Sequence, residues 1–424
     1  MASGTVLRLE VHRPIKTPDR YEFRCDVSGA PFTTATAIYR LKSIARGFGS
    51  PARTTLRFGF RATNFTIAHA EVWDSVFPLM YLTRNGGPLF KTAYDAATIR
   101  FRYPVLESVR RFFVQRAANS GLSVTVEADT IDRTYDIPGK GNILAFGGGK
   151  ESRLLLGLLR ELGQTPRLTT GGAENAPPDL PSAEISEPFW GALAERVMPA
   201  LMSGASHVYF GGALGEVPLN RPWQQYYDMA APQGQHELSR LCGSLGVDLT
   251  LHGPLSVLPS NLVQKVLSAR YPDLAAHQQS VLPGRPTEKN LHLSLLKIHH
   301  GLAISPHCTD VLFRRLLRAF VTDKLSHPDD FGFHNFRELF HREMMAIAAR
   351  RRDHPLLDEV RSRVPAEWEA SWIDGIHTYI DPRIAPSVLE VFRQYANDYV
   401  PGPGAFRVPT PEPSDGGTVG DAPT

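Results

Sequence analysis

Only three cysteines occur in the 424 residues: Cys25, Cys242 and Cys308. They are far apart and odd in number, so neither a disulfide framework nor a CxxC metal knuckle can be built from them. No structural zinc is expected on that ground. An uninterrupted apolar run of about 18 residues is missing, so no membrane-spanning helix is expected. The stretch from Met1 to Pro14 carries Arg8 and Glu10 and no apolar core. It does not read as a secretory signal, and a cytoplasmic location is the default expectation. A surplus of one charge is also lacking. Lys and Arg total 46 against 43 Asp and Glu, a formal net charge of +3. So small a surplus points away from nucleic acid and from an acidic membrane surface as partners. The basic run Arg350–Arg352 reads as a solvated helix face.

What is present is ordinary for a globular chain. Hydrophobic residues make up 42% and charged residues 21%, enough to fill a core. At roughly 100–200 residues per domain, two or three domains are expected.

The region 1–138 reads as an N-terminal α+β domain. Thr5–Val11 alternates, with Leu7, Leu9 and Val11 on one face and Arg8 and Glu10 on the other. That is the period-2 pattern of a half-buried strand. Thr54–Phe60 and Ser123–Ala128 repeat it. Pro104–Ser120 has helical spacing through Val105, Val109, Phe112, Phe113 and Ala117. The glycines and proline of Asp136–Asn142 then interrupt both periods and mark a boundary.

From 139 to 325 strands and helices alternate, which indicates a parallel sheet with crossover helices. Asn142–Phe146, Arg167–Thr170, His207–Phe210 and Val247–Leu251 read as strands. Glu151–Gly163, Pro188–Met202 and Gln233–Leu245 read as helices, the first ending at a capping glycine. The region 326–398 reads as helical, with Phe336, Leu339, Phe340, Met344 and Ile347 at helical spacing. Met345 and the Trp368/Trp372 pair read as core. The tail 399–424 is rich in Pro, Gly, Ser, Thr and Asp and is expected to be disordered.

The most informative segment is Ile143–Leu156. A short apolar strand feeds Gly147, Gly148 and Gly149, followed by Lys150, Glu151, Ser152 and a leucine-rich helix. Glycines let backbone approach a ligand closely and take positive φ. A helix start offers free N–H groups and a positive dipole end. The combination suits phosphate. Ser152 is expected to cap the helix and donate its hydroxyl to an oxyanion. Lys150 adds a point charge, and Glu151 is the candidate ligand of Mg²⁺. The order is not that of a Walker A loop, because Glu151 follows the lysine. Nor is it a dinucleotide fingerprint, because Ser152 stands where the third glycine belongs.

Gly147-Gly148-Gly149-Lys150-Glu151-Ser152 resembles the Ser-Gly-Gly-x-Asp-Ser signature of the PP-loop ATP pyrophosphatases, the N-type adenine nucleotide α-hydrolases. Gly147 replaces the first serine and Glu151 the aspartate. Within that superfamily the loop looks like that of the ATP-dependent epimerase of UDP-N-acetylmuramoyl-L-alanyl-L-glutamate. Asn220, the turn Gly253-Pro254-Leu255-Ser256 and the run Ser305-Pro306-His307-Cys308 fall where that family has its own motifs. Leu302 and Ser305 replace two cysteines of the family's cluster, and Gly211-Gly212-Ala213 replaces its Ser-Asn-Glu. The resemblance implies an α/β fold, with a parallel-sheet HUP/PP-loop domain preceded by the α+β domain and followed by helices. It implies ATP with Mg²⁺, nucleotide contacts from Phe146, Gly147, Gly148, Gly149, Lys150 and Ser152, and adenylation of a carboxylate with release of pyrophosphate.

Three further groups are candidates. Epimerisation needs a base tuned towards neutral pH, and His252 and Cys308 are the candidates, with Lys150 and Glu151 as the other catalytic groups. Their plain alternatives are a core histidine and an inert buried thiol. Gly171 and Glu174, with Asn175, follow a strand at its carboxyl end and are placed to reach the adenosine; a polar loop is the alternative. His292, His299, His300 and His307 with Cys308 offer zinc-type ligands in no recognised spacing. The expected function is an AMP-forming enzyme acting on an amino-acid or peptide-like carboxylate, with epimerisation of the adjacent carbon as one outcome. The alternatives are an adenylating ligase forming an amide and a non-catalytic nucleotide-binding relative.

Overall fold

The computed structural model describes residues 5–18, 20–29, 53–62, 67–83, 89, 94–119, 122–170, 177, 179–186, 199–211, 232–255, 260–278 and 385–395. The chain is mixed α/β, and the described residues centre on one sheet, in which eleven strands are described. The expected helical region and tail fall largely or wholly outside the described residues, as do Phe336–Ile347 and the Trp368/Trp372 pair.

The first half of the sheet is mostly antiparallel. It holds β1 (Val6–Val11), β2 (Ile15–Thr17), β3 (Arg20–Ser28), β4 (Arg53–Ala62), β5 (Ala96–Phe101) and β7 (Val124–Glu127). A small pair, β6 (Val105–Leu106) with β8 (Thr130–Ile131), lies apart. Alternation does what it predicts: Leu7, Leu9 and Val11 are buried while Arg8 is exposed. The inward residues of β3 and β4 meet α1 (Ala70–Thr83), where Phe77 packs edge-on against Tyr21 at 5.0 Å and Tyr81 at 4.7 Å. Aromatic pairs of this geometry add to the burial itself. Pro78 sits inside α1; the aromatic packing around it offsets the hydrogen bond it removes. The helix expected over Pro104–Ser120 is α2 (Glu107–Asn119), and Val105 belongs to β6 instead.

The second half is parallel. It holds β9 (Asn142–Phe146), β10 (Arg167–Thr170), β11 (Ser182–Ser186), β12 (His207–Phe210) and β13 (Thr250–His252). The order is β13-β12-β9-β10-β11, with every neighbouring pair parallel. The chain starts in the middle at β9, runs outward through β10 and β11, then returns to lay β12 on the other side. The crossover helices are α3 (Lys150–Glu161) and α4 (Pro232–Ser244), followed by α5 (Ser260–Arg270), α6 (Pro272–Ala276) and α7 (Ala385–Tyr395). The strand expected over Val247–Leu251 is shifted: Val247 makes only an isolated bridge to Ile137.

Both faces of the parallel half are buried. Ile143, Val208 and Phe210 join the core that also holds β1, β3, β4, α1, α2 and α4. Leu144, Phe146, Leu168 and Tyr209 join a second core with α3, α5 and α7. Leu154, Leu155, Leu156, Leu158 and Leu159 of α3 are buried there, each burial worth about 1.5–3 kcal/mol relative to exposure. Gly163 (φ 71°) ends α3 by donating to Arg160, while Gln164 donates to Leu159, a Schellman cap. Antiparallel pairing of β11 with β4 joins the halves, with Ile185 opposite Ala62. The stretch between the halves is tied down too, Ile137 donating to Gly246 and Asp248 to Ile137. Among the described residues no helix is long and apolar enough to cross a membrane.

Candidate nucleotide site

The glycine loop leaves the carboxyl end of β9, where the strand order reverses between β9 and β12. In doubly wound sheets ligands bind in the crevice at this point. Phe146, the last residue of β9, is fully buried and anchors the loop in the second core. Gly148 takes φ 72°, a conformation that disfavours residues with a Cβ. Gly149 is the N-cap of α3, in extended conformation (φ −77°, ψ 178°), and no side chain caps the helix.

This corrects the expectation for Ser152. It sits within the first turn rather than ahead of it, and its hydroxyl donates to the Gly149 carbonyl at 3.3 Å. The helix start therefore has no side-chain hydrogen-bonded cap, and the one acidic group on its first turn is Glu151.

Lys150 and Glu151 lie on that first turn. Their side chains are 10% and 13% exposed and form an ion pair, Nζ with Oε1. The positive and the metal-binding candidate are thus held together at the loop. Gly211, the first residue after β12, closes the crevice from the other side. A Cβ there would lie 2.8 Å from the Ser152 nitrogen and 2.9 Å from Glu151 Cβ. Only a glycine lets the two strand ends converge in this way.

Arg153 is the unexpected member. It is 4% exposed. Its Nε donates to the Gly148 carbonyl at 2.9 Å, and its guanidinium carbon lies 5.4 Å from the centre of the Phe146 ring. Burial lowers its pKa to about 10, so the group stays cationic at neutral pH.

His252 is 3% exposed, its Nε2 lies 3.1 Å from His207 Nδ1, and its ring stacks on Tyr209 at 4.9 Å. His207 begins β12, and Tyr209 reaches Gln164, which also holds Asn142 at the start of β9. His252 is the last residue of β13, at the carboxyl end of that strand, and its ring turns back onto His207 and Tyr209. Its partners are those of a core histidine. Gly171, Glu174, Asn175, Cys308, Asn220 and the histidines at 292, 299, 300 and 307 lie outside the described residues.

Sequence reasoning missed two contributors. Gly211 had a signal, a glycine directly after an apolar strand. Arg153 had a weaker one, a lone cation ahead of a leucine run; its burial depends on the fold. A separate polar group, Glu10, His12 and Asp26, brings its ligand atoms within 4.8 Å of one another. Its charges are already answered: Arg102 holds Glu10 at 2.6 Å, Thr55 donates to Asp26 at 2.6 Å, and Arg24 lies over the His12 ring at 3.3 Å.

No family model, curated protein or solved structure matches this chain. The functional reading therefore rests on the chemistry of the loop itself.

Proposed function

We propose that this chain binds ATP at Gly147–Ser152 and uses it to adenylate a carboxylate of an amino-acid or peptide-like substrate, releasing pyrophosphate. The observation that carries the reading is the uncapped start of α3, reached through three glycines at the point where the strand order reverses. The parallel order β13-β12-β9-β10-β11 is compatible with the HUP/PP-loop architecture that the loop sequence suggests.

The donor set fits a nucleotide. Backbone N–H groups at the helix start suit phosphate oxygens, Gly148 and Gly211 keep side chains out of the crevice, and Lys150 supplies a cation. Glu151 is the carboxylate that would hold Mg²⁺, which when bound supplies charge neutralisation to the pyrophosphate. In the resting protein Lys150 keeps Glu151 paired, so the buried carboxylate is not left uncompensated. With ATP in place Lys150 turns to the phosphates and releases Glu151. The loop then orients the nucleotide so that the substrate carboxylate attacks the α-phosphorus, the new P–O bond forming as pyrophosphate leaves. Adenylation also acidifies the α-proton, which leaves epimerisation open as the next step, with His252 and Cys308 the candidate bases.

The test is exchange of labelled pyrophosphate into ATP across a library of carboxylic acids. At least one acid is expected to drive exchange, with AMP and pyrophosphate as products. ADP and phosphate as the only products would overturn the reading.

A further inference from the structure

Arg153 does something the phosphate chemistry of the loop does not by itself require. A buried guanidinium is costly unless its donors are used, and this one is fastened to the glycine turn at two levels. Its Nε takes the Gly148 carbonyl at 2.9 Å. Its backbone N–H takes the next carbonyl, Gly149, at 3.1 Å. The Phe146 ring against the guanidinium fixes the side chain from the strand side.

The consequence follows from peptide geometry. In a trans peptide the C=O and the N–H of one unit point in opposite directions. With the Gly148 carbonyl drawn onto Arg153, the N–H of Gly149 faces the other way. With the Gly149 carbonyl held by the Arg153 N–H, the N–H of Lys150 likewise faces outward from the helix start. Across the extended Gly149 the two N–H groups point in different directions, one from the glycine turn and one from the helix start, and an anion lying between them is met from two sides. Gly148 accepts this because its φ is 72°.

We propose that Arg153 is a positioning residue that aims the Gly149 and Lys150 N–H groups at the phosphates of the nucleotide. The inference rests on the ATP reading above and adds how the loop is held ready for it. The buried cation also lies beneath the anion and favours it electrostatically.

The experiment uses the full chain with Arg153→Lys, Arg153→Gln and Arg153→Met, measuring Mg-ATP affinity by calorimetry and the melting temperature without nucleotide. Lys keeps a donor and the charge, Gln keeps a donor alone, and Met keeps only the stem. The expected order of ATP affinity is parent, Lys, Gln, Met. Met is expected about ten- to a hundredfold weaker, the loss of a charge-assisted contact, with a melting temperature close to the parent's. If Met does not fold, the parent–Lys–Gln order decides. The inference is overturned if the folded variants bind like the parent, or if affinity falls only in step with melting temperature and Lys restores neither. A parent that binds no ATP at all overturns the ATP reading itself, a result distinct from equal binding by parent and variants.

Discussion

On the face of the sheet opposite the core shared by both halves, the first half presents Arg8, Arg24, Arg57, Arg61, Arg100 and Arg102, all exposed. The second half presents Leu144, Phe146, Leu168 and Tyr209, all buried under helices. Arginines dominate the first surface, where Glu22 and Asp26 are buried beside Arg20 and His12, and apolar side chains fill the second. In the first half Arg102 meets Glu10 and Arg100 meets Glu127, both at 2.6 Å and in solvent. Such pairs are screened and contribute little. In the second half Lys150, Glu151 and Arg153 converge with little exposure at one loop. Taking charges out of water costs several kcal/mol per ion before pairing offsets it. Three such charges at the mouth of a parallel sheet are the feature on which the proposed ATP site rests, whereas the exposed ion pairs of the open face are ordinary surface pairs.

The contrast breaks most sharply at Gly211. Gly211→Val puts a branched side chain against the Ser152 nitrogen and Glu151 Cβ. Overpacking of this kind costs typically about 1–3 kcal/mol, and here it falls on the loop. ATP affinity is expected to drop by about a hundredfold or more, measured by calorimetry. Retention of parental affinity would show that the end of β12 takes no part in the site.

Glu151 gives the next largest effect and separates binding from turnover. Glu151→Gln leaves size unchanged and removes the charge that would hold the metal. Turnover at fixed Mg²⁺ is expected to fall about ten- to a hundredfold, with ATP affinity changed by less than about fivefold. Glu151→Asp is expected to keep or raise turnover. Equal loss of turnover in both variants would count against a metal role.

The smallest effect tests whether α3 is anchored independently of the loop. At its far end Glu161 accepts from Arg270 at 2.9 and 2.5 Å and from Tyr271 at 2.6 Å. The Arg270 guanidinium first, then the Tyr271 hydroxyl, lowers the Glu161 pKa to about 2. A depressed carboxylate contributes stability above its unfolded pKa, near 4.3, and loses it as pH falls toward the folded value. Melting temperature should therefore decline more steeply between about pH 4.5 and 2 in the parent than in Glu161→Gln. The pair is partly solvated, so the difference is expected to be small. ATP affinity at neutral pH should not change; a loss would tie this anchor to the loop.

Local pattern carried much of this architecture. Asn142–Phe146, Arg167–Thr170 and His207–Phe210 are strands at the residues their apolar runs mark, because short apolar segments between glycines and turns have few other ways to bury themselves. The alternation of Thr5–Val11 told inside from outside for the same reason. Ser182–Ser186 was not legible. It has one large apolar residue, and it is a strand because β10 and β4 pair with it from either side. The helix Ala70–Thr83 was hidden by Pro78, which ordinarily ends a helix and is tolerated here by an aromatic cluster drawn from β3 and β4.

The sequence by itself determined the chemistry of the loop: three glycines, a lysine, an acid and a serine between a strand and a helix, all set by residues adjacent in the chain. It also determined which strand faces are apolar, since period and composition are local properties. Tertiary structure alone decided the order of the strands, and with it the crevice beside β9. It decided that Gly211, remote in sequence, closes on Ser152, that Ser152 turns back to Gly149 instead of capping α3, and that Arg153 is buried against Phe146. It also set the His252 ring against His207 and Tyr209. Each of these depends on contacts between distant segments, whose closure entropy and packing no local window contains.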